Sequence, residues 1–173
     1  MGEARDVPMD GIKFVSFERD SPVAAIGTQD LKGCSVAMIV STHGALMAHI
    51  PPMPYRTLDP HAGERHVHAL MHRMLRPDGV RVPRLFSATS RLAAVVCATV
   101  DDGQVALPGQ VDLMCDMLVR YAGVSRVRVA GYEVVPSPNY GAEGTVFIDG
   151  RRGCPFPPKI YVEDHEMADY LTN

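Results

Sequence analysis

Residues 25–52, AIGTQDLKGCSVAMIVSTHGALMAHIPP, carry the pattern that most strongly constrains the fold of this chain. Two apolar runs, 34–40 and 45–50, are separated by a short segment that ends in Gly44. Short apolar runs with β-branched residues are typical of buried strands, and glycine readily supplies the left-handed backbone of a tight turn. A series of prolines begins at Pro51 and ends any ladder, because proline has no N–H to donate. The stretch therefore predicts a buried β-hairpin.

Helices and further strands follow outward from this hairpin. Apolar residues at helical spacing predict helices at 60–76 and 108–122, each with a proline in its first turn. Because short links join most of the strands, the order favours an α+β fold of mainly antiparallel, β-sandwich-like sheets with two principal helices packed outside. The other strands are predicted at Ile12–Ser16, 23–26, 92–100, 127–135, 144–148 and Lys159–Val162, with a bulge expected at Gly131.

The length of the chain suggests one domain. A chain of 173 residues can bury a sizeable single core. Residues 1–21 are mostly polar, and we expect them to form a flexible N-terminal lead-in. Residues 22–173 show neither a repeat nor a second composition, so we expect them to form the single domain.

Composition restricts the partners of the protein. Hydrophobic residues make up 46% of the chain and charged residues 21%, as in globular proteins. A net charge of −3 offers no basic surface for phosphates, so we expect no nucleic-acid partner. No apolar run approaches the length of a membrane span, so we expect no membrane partner. The GxGxxG and P-loop fingerprints are absent from the sequence, and we expect no cofactor.

Cysteine usage indicates a reducing compartment. The four cysteines show no CxxC pairing, which argues against a zinc ribbon. The N-terminus lacks a basic-then-apolar signal pattern, and Asp6 breaks the myristoylation pattern. We therefore expect a cytoplasmic protein whose thiols are free. The cysteines are Cys34, Cys97, Cys115 and Cys154.

Three polar residues of the hairpin region have side chains suited to nucleophilic catalysis. Cys34 follows Gly33 at the start of the first apolar run. His49 lies on the return run, and Thr28 precedes Cys34 by six residues. A thiol attacks as a thiolate, which a nearby imidazole can generate and a third group can orient. Glycine beside the thiol leaves room for a substrate carbonyl near main-chain N–H groups. These residues form a candidate triad, Cys34–His49–Thr28.

Each of the three residues also has an ordinary structural interpretation. Free cysteine often fills a core as a small hydrophobe, His49 fits a core histidine with a hydrogen-bond partner, and Thr28 fits a turn. In a flat hairpin with its turn at 42–44, Cys34 and His49 stand about three or four residues apart along the ladder, on the order of 10–13 Å. Catalysis then requires that residues 31–34 curl back as a loop, or that a bulge shifts the register.

A histidine-rich helix offers another kind of site. His68 and His72 are one helical turn apart, so both rings can face one metal ion, and Glu64 lies one turn earlier. The helix lacks the HExxH order and an obvious ligand from elsewhere in the chain, which favours a solvated face. We expect no metal site, and metal binding through His68 and His72 is the weakest of the functional alternatives.

The hairpin segment resembles a known enzyme family. Gly27-Thr28, the run 31–36 (LKGCSV) and the run 44–52 (GALMAHIPP) are similar to the threonine, cysteine-strand and histidine-strand motifs of the CheD-type chemoreceptor glutamine deamidases. That family is related in fold and site to the cytotoxic necrotizing factor deamidase toxins. The resemblance is specific over about residues 25–52. It implies an α+β sandwich, with Cys34 as nucleophile, His49 as base and Thr28 as the orienting group.

Two functions are consistent with these observations. The first is a cysteine hydrolase acting on a carboxamide, in which His49 holds Cys34 as a thiolate and main-chain N–H groups near Cys34 hold the oxyanion. By resemblance, the substrate is a glutamine side chain in a protein, with a small-molecule amide or ester as the other choice and transglutamination as the outcome if an amine replaces water. The second is a catalytically inactive binding or regulatory module of the same fold. A somewhat short Cys–His interval favours this alternative, as do residues 135–141 in place of the family's GGxxGR stretch.

Overall fold

The computed structural model describes residues 3–76, 91–100, 102–134, 144–153 and 156–167. Within these ranges the chain forms an α+β fold with eleven strands and two helices, which confirms the predicted fold class. The strands are β1 (Arg5–Asp6), β2 (Ile12–Ser16), β3 (Ala25–Thr28), β4 (Ser35–Ser41), β5 (Gly44–Ile50), β6 (Arg91–Val100), β7 (Gln104–Val105), β8 (Val127–Glu133), β9 (Val146–Asp149), β10 (Lys159–Val162) and β11 (His165–Glu166), and the helices are α1 (Ala62–Leu75) and α2 (Pro108–Ala122).

Both helices form where the sequence predicts them. Helix α2 begins at Pro108, where a missing N–H is tolerated, and ends at Gly123 in the left-handed conformation with φ 64°. The inward face of α2 carries four buried apolar residues, Val111, Met114, Met117 and Leu118. Tyr121 is 47% exposed, and the guanidinium of Arg76 lies over its ring, 5.3 Å from the ring centroid.

Two sheets pack face to face. Sheet A has the strand order β1-β3-β9-β10-β11, and sheet B has the order β2-β5-β4-β6-β7, with β8 paired to β6. Among the described strands, only the pairs β1–β3 and β6–β8 are parallel. The parallel β6–β8 pair is possible because α2 connects the two strands as a crossover. The remaining pairs are antiparallel, and the sheets are therefore mainly antiparallel, as predicted.

Sheet B separates two hydrophobic cores. On β4, Val36 and Met38 face the core between the two sheets, whereas Ala37 and Ile39 face the core beneath the helices. The alternation follows from the two-residue period of a strand, which sends successive side chains to opposite faces. The molecule is therefore built in three layers, sheet A, sheet B and the helices.

Strands β4 and β5 form the predicted hairpin. They pair from Ser41 opposite Gly44 to Ser35 opposite Ile50, with a two-residue turn at positions 42–43. The register is continuous and places Val36 opposite His49. Cys34 therefore lies two residues from the position opposite His49, so the separation expected from a flat hairpin, about three or four residues, is wrong.

Residues 5–17 belong to the folded domain, although we expected residues 1–21 to form a flexible lead-in. Strand β1 pairs with β3, and β2 pairs with β5 over the predicted range. Val7, Val15 and Phe17 are almost completely buried in the core between the sheets. The burial of these three residues had no clear signal in the sequence, because polar residues surround them. Such a mixture is typical of a sheet that buries only one face.

Strand β8 has no bulge at Gly131, so that prediction is wrong. It pairs with β6 in unbroken register from Val127 to Glu133. A Cβ at Gly131 would lie 2.3 Å from Cγ2 of Thr99, so close approach of the neighbouring strand explains the glycine. Residues 135–141, which stand in place of the GGxxGR stretch, and Cys154 lie outside the described residues.

Candidate active site

His49 and Thr28 meet in the layer between the two sheets. His49 lies on β5 of sheet B and is 3% exposed, and Thr28 lies at the end of β3 of sheet A and is 6% exposed. Thr28 Oγ1 and His49 Nδ1 are 2.8 Å apart. The structure thus brings together two of the three predicted site residues, through a hydrogen bond that joins the sheets.

The hydrogen bonds of Thr28 assign the tautomer of His49. Thr28 Oγ1 lies 2.7 Å from the carbonyl oxygen of Val7, to which it must donate its only proton. It can then only accept from His49, so Nδ1 carries the proton and Nε2 of the neutral ring is the free acceptor. His49 Nε2 is buried and has no hydrogen-bond partner within the described part of the chain. Such a nitrogen is available to accept a proton.

Cys34 lies on the same face of the hairpin as His49. It precedes β4 by one residue and belongs to the core between the sheets, together with Val36. Because Val36 is opposite His49, Cys34 is a diagonal neighbour of the histidine, and such neighbours lie about 7–8 Å apart in a regular ladder. No hydrogen bond joins the thiol to His49 Nε2, which has no partner. Cys34 itself retains 7% exposure.

The chain enters β4 through a tight turn at residues 31–34. The N–H of Cys34 donates to the carbonyl of Leu31 at 2.7 Å. Both central residues have positive φ, 43° at Lys32 and 102° at Gly33. A Cβ at Gly33 would have no neighbour within 4 Å, so the left-handed backbone rather than crowding favours glycine there.

Tyr132 is a site residue that sequence reasoning missed. It lies on β8, and its Oη accepts a hydrogen bond from the N–H of Gly33 at 2.8 Å and donates to the carbonyl of Cys34 at 2.7 Å. Burial raises the pKa of Tyr132, which keeps its hydroxyl protonated and able to donate. The available signal was a tyrosine within a predicted strand, since a buried hydroxyl needs a partner. The main-chain N–H groups of Gly33 and Cys34, expected to hold an oxyanion, are therefore both occupied in this conformation.

Burial keeps the thiol and the imidazole neutral. It raises the pKa of the Cys34 thiol to about 11, with the negative charge of Asp10 acting in the same direction. Burial lowers the pKa of His49 from its ordinary 6.5, although the Val7 carbonyl and the charges of Asp10 and Asp6 oppose the change. The charged forms lose hydration, and this loss outweighs the groups that favour the charged ring of His49. The resting thiolate that we expected is therefore disfavoured in this conformation.

Alkylation by iodoacetamide tests this charge state. Because the pKa of Cys34 is raised to about 11, its alkylation rate in the folded protein should keep rising with pH well above the pH range in which ordinary thiols ionise. Asp10→Asn should lower that midpoint. Asp116→Asn is the matched control, since Asp116 raises the pKa of Cys115 instead. Peptide mass spectrometry measures each cysteine separately, and a Cys34 midpoint below about 8.5 would contradict this assignment.

Other candidate groups lie outside this constellation. The rings of His68 and His72 stack with centroids 6.4 Å apart. Within the ranges that the structure describes, no group of three or more His, Cys, Asp or Glu side chains is arranged to hold a metal ion. Thr28 also lines a cavity of about 480 Å³ on sheet A, together with Asp6 and Phe147. Of the candidate triad, Thr28 borders this cavity, whereas Cys34 and His49 are not part of its lining.

Comparison with known proteins assigns no family to the chain. No protein-family model matches it, and no curated protein matches it in sequence. The resemblance to CheD-type deamidases therefore stays a prediction.

Neither described helix is long and apolar enough to span a bilayer. Three described cysteines, Cys34, Cys97 and Cys115, are free thiols.

Proposed function

We propose that the protein is a cysteine hydrolase that acts on a carboxamide, preferably the side chain of glutamine. Cys34 is the nucleophile, His49 is the general base and Thr28 orients the imidazole. One observation carries this proposal. His49 holds a buried, unpartnered Nε2 on the same face as the Cys34 thiol, while its Nδ1 is fixed by Thr28. An unpaired buried acceptor is costly, and such groups are retained where chemistry uses them.

The reaction proceeds through a thioester. His49 Nε2 removes the thiol proton as Cys34 Sγ forms a bond to the carboxamide carbon, and the carbonyl oxygen becomes an oxyanion. The C–N bond then breaks, and the proton on Nε2 passes to the departing ammonia. Water attacks the thioester as His49 takes one of its protons. The C–S bond breaks, and the proton returns to the sulfur. A thiol that rests neutral fits this mechanism, in which the base acts only when substrate is bound.

Substitution of Thr28 distinguishes its role in orienting His49 from its role in stabilising the fold. Thr28→Val should lower kcat more than it raises KM, because His49 Nδ1 loses the acceptor that fixes its tautomer. It should also lower the free energy of unfolding by about 1–3 kcal/mol, since the Val7 carbonyl loses its donor. Thr28→Ser keeps both bonds and is the control. Urea denaturation and initial rates measure the two effects, and equal behaviour of the two variants would refute the orienting role.

Ammonia release tests the activity itself. The protein is incubated with glutamine-containing and asparagine-containing peptides, with intact proteins and with small amides, and ammonia and the deamidation mass shift are measured. Hydroxylamine added during turnover should convert the thioester to a hydroxamate. We propose the cytoplasm as the compartment, because thiols stay reduced there. Release of ammonia from none of these amides would refute the proposal.

A catalytically inactive binding or regulatory module is the second candidate. The occupied N–H groups of Gly33 and Cys34, together with the raised pKa of the thiol, favour it. In that case Cys34 packs as a small hydrophobe, and neither ammonia nor a trapped hydroxamate appears with any amide. A trapped adduct on Cys34 would exclude this candidate.

A further inference from the structure

A buried hydroxyl from a distant strand holds the turn that carries Cys34. Tyr132 is 1% exposed, and it lies 98 positions beyond Cys34 in the sequence. Its Oη bonds the N–H of Gly33 and the carbonyl of Cys34, so it fixes the chain on both sides of the Gly33–Cys34 peptide. A single side chain of β8 thus sets the path of the backbone into β4.

The turn depends on this support. Lys32 has φ 43°, a conformation that residues with a Cβ rarely adopt, and Gly33 follows with φ 102°. The bond from the Cys34 N–H to Leu31 closes the turn, but it satisfies neither the Gly33 N–H nor the Cys34 carbonyl. Both groups rely on the Tyr132 hydroxyl. Strained backbone persists only where its surroundings hold it, so loss of that hydroxyl releases the turn.

We propose that Tyr132 is a positioning residue, whose hydroxyl holds the turn at 31–34 so that Cys34 stays on the His49 face of the hairpin. Release of the turn frees the thiol to reach solvent and removes it from the His49 face of the hairpin. Reagents in solution then react with Cys34 faster, whereas the thiol attacks a bound substrate more slowly. The positioning stands on the geometry alone, and its effect on turnover rests on the proposed hydrolase function.

Tyr132→Phe tests this role, because it removes the hydroxyl and keeps the ring. Iodoacetamide should label Cys34 several-fold faster in this variant, with unchanged rates at the buried Cys97 and at Cys115. The kcat for carboxamide hydrolysis should fall by about 100-fold with little change in KM, because a small displacement of a nucleophile has an effect of that size. Tyr161→Phe on β10 makes the same chemical change away from the turn, and it should alter neither quantity.

Two labelling results would overturn the proposal. An unchanged labelling rate at Cys34 would show that the hydroxyl does not position it, and equal acceleration at all three cysteines would indicate general loosening. If the unmodified protein hydrolyses no amide, the hydrolase function fails, whereas a Cys34-specific change in labelling still supports the positioning. If Tyr132→Phe does not fold, amide hydrogen exchange in the unmodified protein tests the role of Tyr132 instead. The Gly33 amide should be protected from exchange, and rapid exchange there would overturn the role of Tyr132.

Discussion

Cys34→Ala should lower kcat for carboxamide hydrolysis by on the order of 10⁴-fold or more. The proposed reaction forms and breaks a bond to Cys34 Sγ, and alanine has no atom that can replace it. Cys34→Ser should be almost as inactive, because the hydroxyl is a weaker nucleophile beside the same base. Ammonia release at saturating substrate measures kcat, and hydroxylamine trapping shows whether an acyl-enzyme still forms. Neither variant should yield a hydroxamate.

Cys97→Ala is the matched control for loss of a buried thiol. Cys97 is 2% exposed, and its Sγ lies 3.6 Å from the Ala130 carbonyl, outside the candidate site. Its replacement removes a similar volume from a core and should leave kcat unchanged. Circular dichroism and thermal unfolding confirm that each variant is folded. Full activity in Cys34→Ala would show that another group is the nucleophile, and equal inactivity of Cys97→Ala would attribute the loss to packing.

Local sequence pattern predicts the elements of this fold well. The hairpin could be predicted from two apolar runs and a glycine because its strands contact one another through a two-residue turn. Helix α2 begins and ends as predicted, since Pro108 and Gly123 act through their own backbone. The contribution of Val7 and Phe17 could not be predicted, because it depends on strands that are remote in sequence. Only the folded structure shows that Val7 and Phe17 pack in the core between the two sheets.

The candidate site, too, could be predicted from the sequence only in part. The pairing of Thr28 with His49 agrees with the sequence hypothesis, and it requires only that β3 and β5 lie in facing sheets. The protonation states do not follow from the motif. They depend on how deeply Cys34 is buried and on the charge of Asp10, which arrives from the turn before β2. Tyr132 escaped prediction for the same reason, since its partners lie on a turn almost one hundred residues away.

His49→Asn should lower kcat by about 10²–10⁴-fold, because it removes the general base. The asparagine amide can still donate to Thr28 Oγ1, so the bond between the sheets is kept while the acceptor at Nε2 is lost. His165→Asn is the matched control, because His165 is exposed on β11 and should not affect turnover. Activity of His49→Asn close to that of the unmodified protein would show that proton removal does not involve this ring.

The pH dependence of kcat/KM tests the same base in the unmodified protein. His49 Nε2 accepts a proton only when the ring is neutral, which is the case above its pKa. Because burial lowers that pKa from 6.5, activity should persist below pH 6.5 and fall only as the pH drops through the lowered value. On the alkaline side, the pKa of Cys34 near 11 predicts no fall around the ordinary thiol value of about 8.5. A preformed thiolate–imidazolium pair would instead be most active between a lowered thiol pKa and a raised imidazole pKa. A fall in kcat/KM as the pH rises above the ordinary range of histidine, through a raised imidazole pKa, would therefore favour that pair over the neutral one. An acid limb centred above pH 6.5 would contradict the lowered pKa of His49.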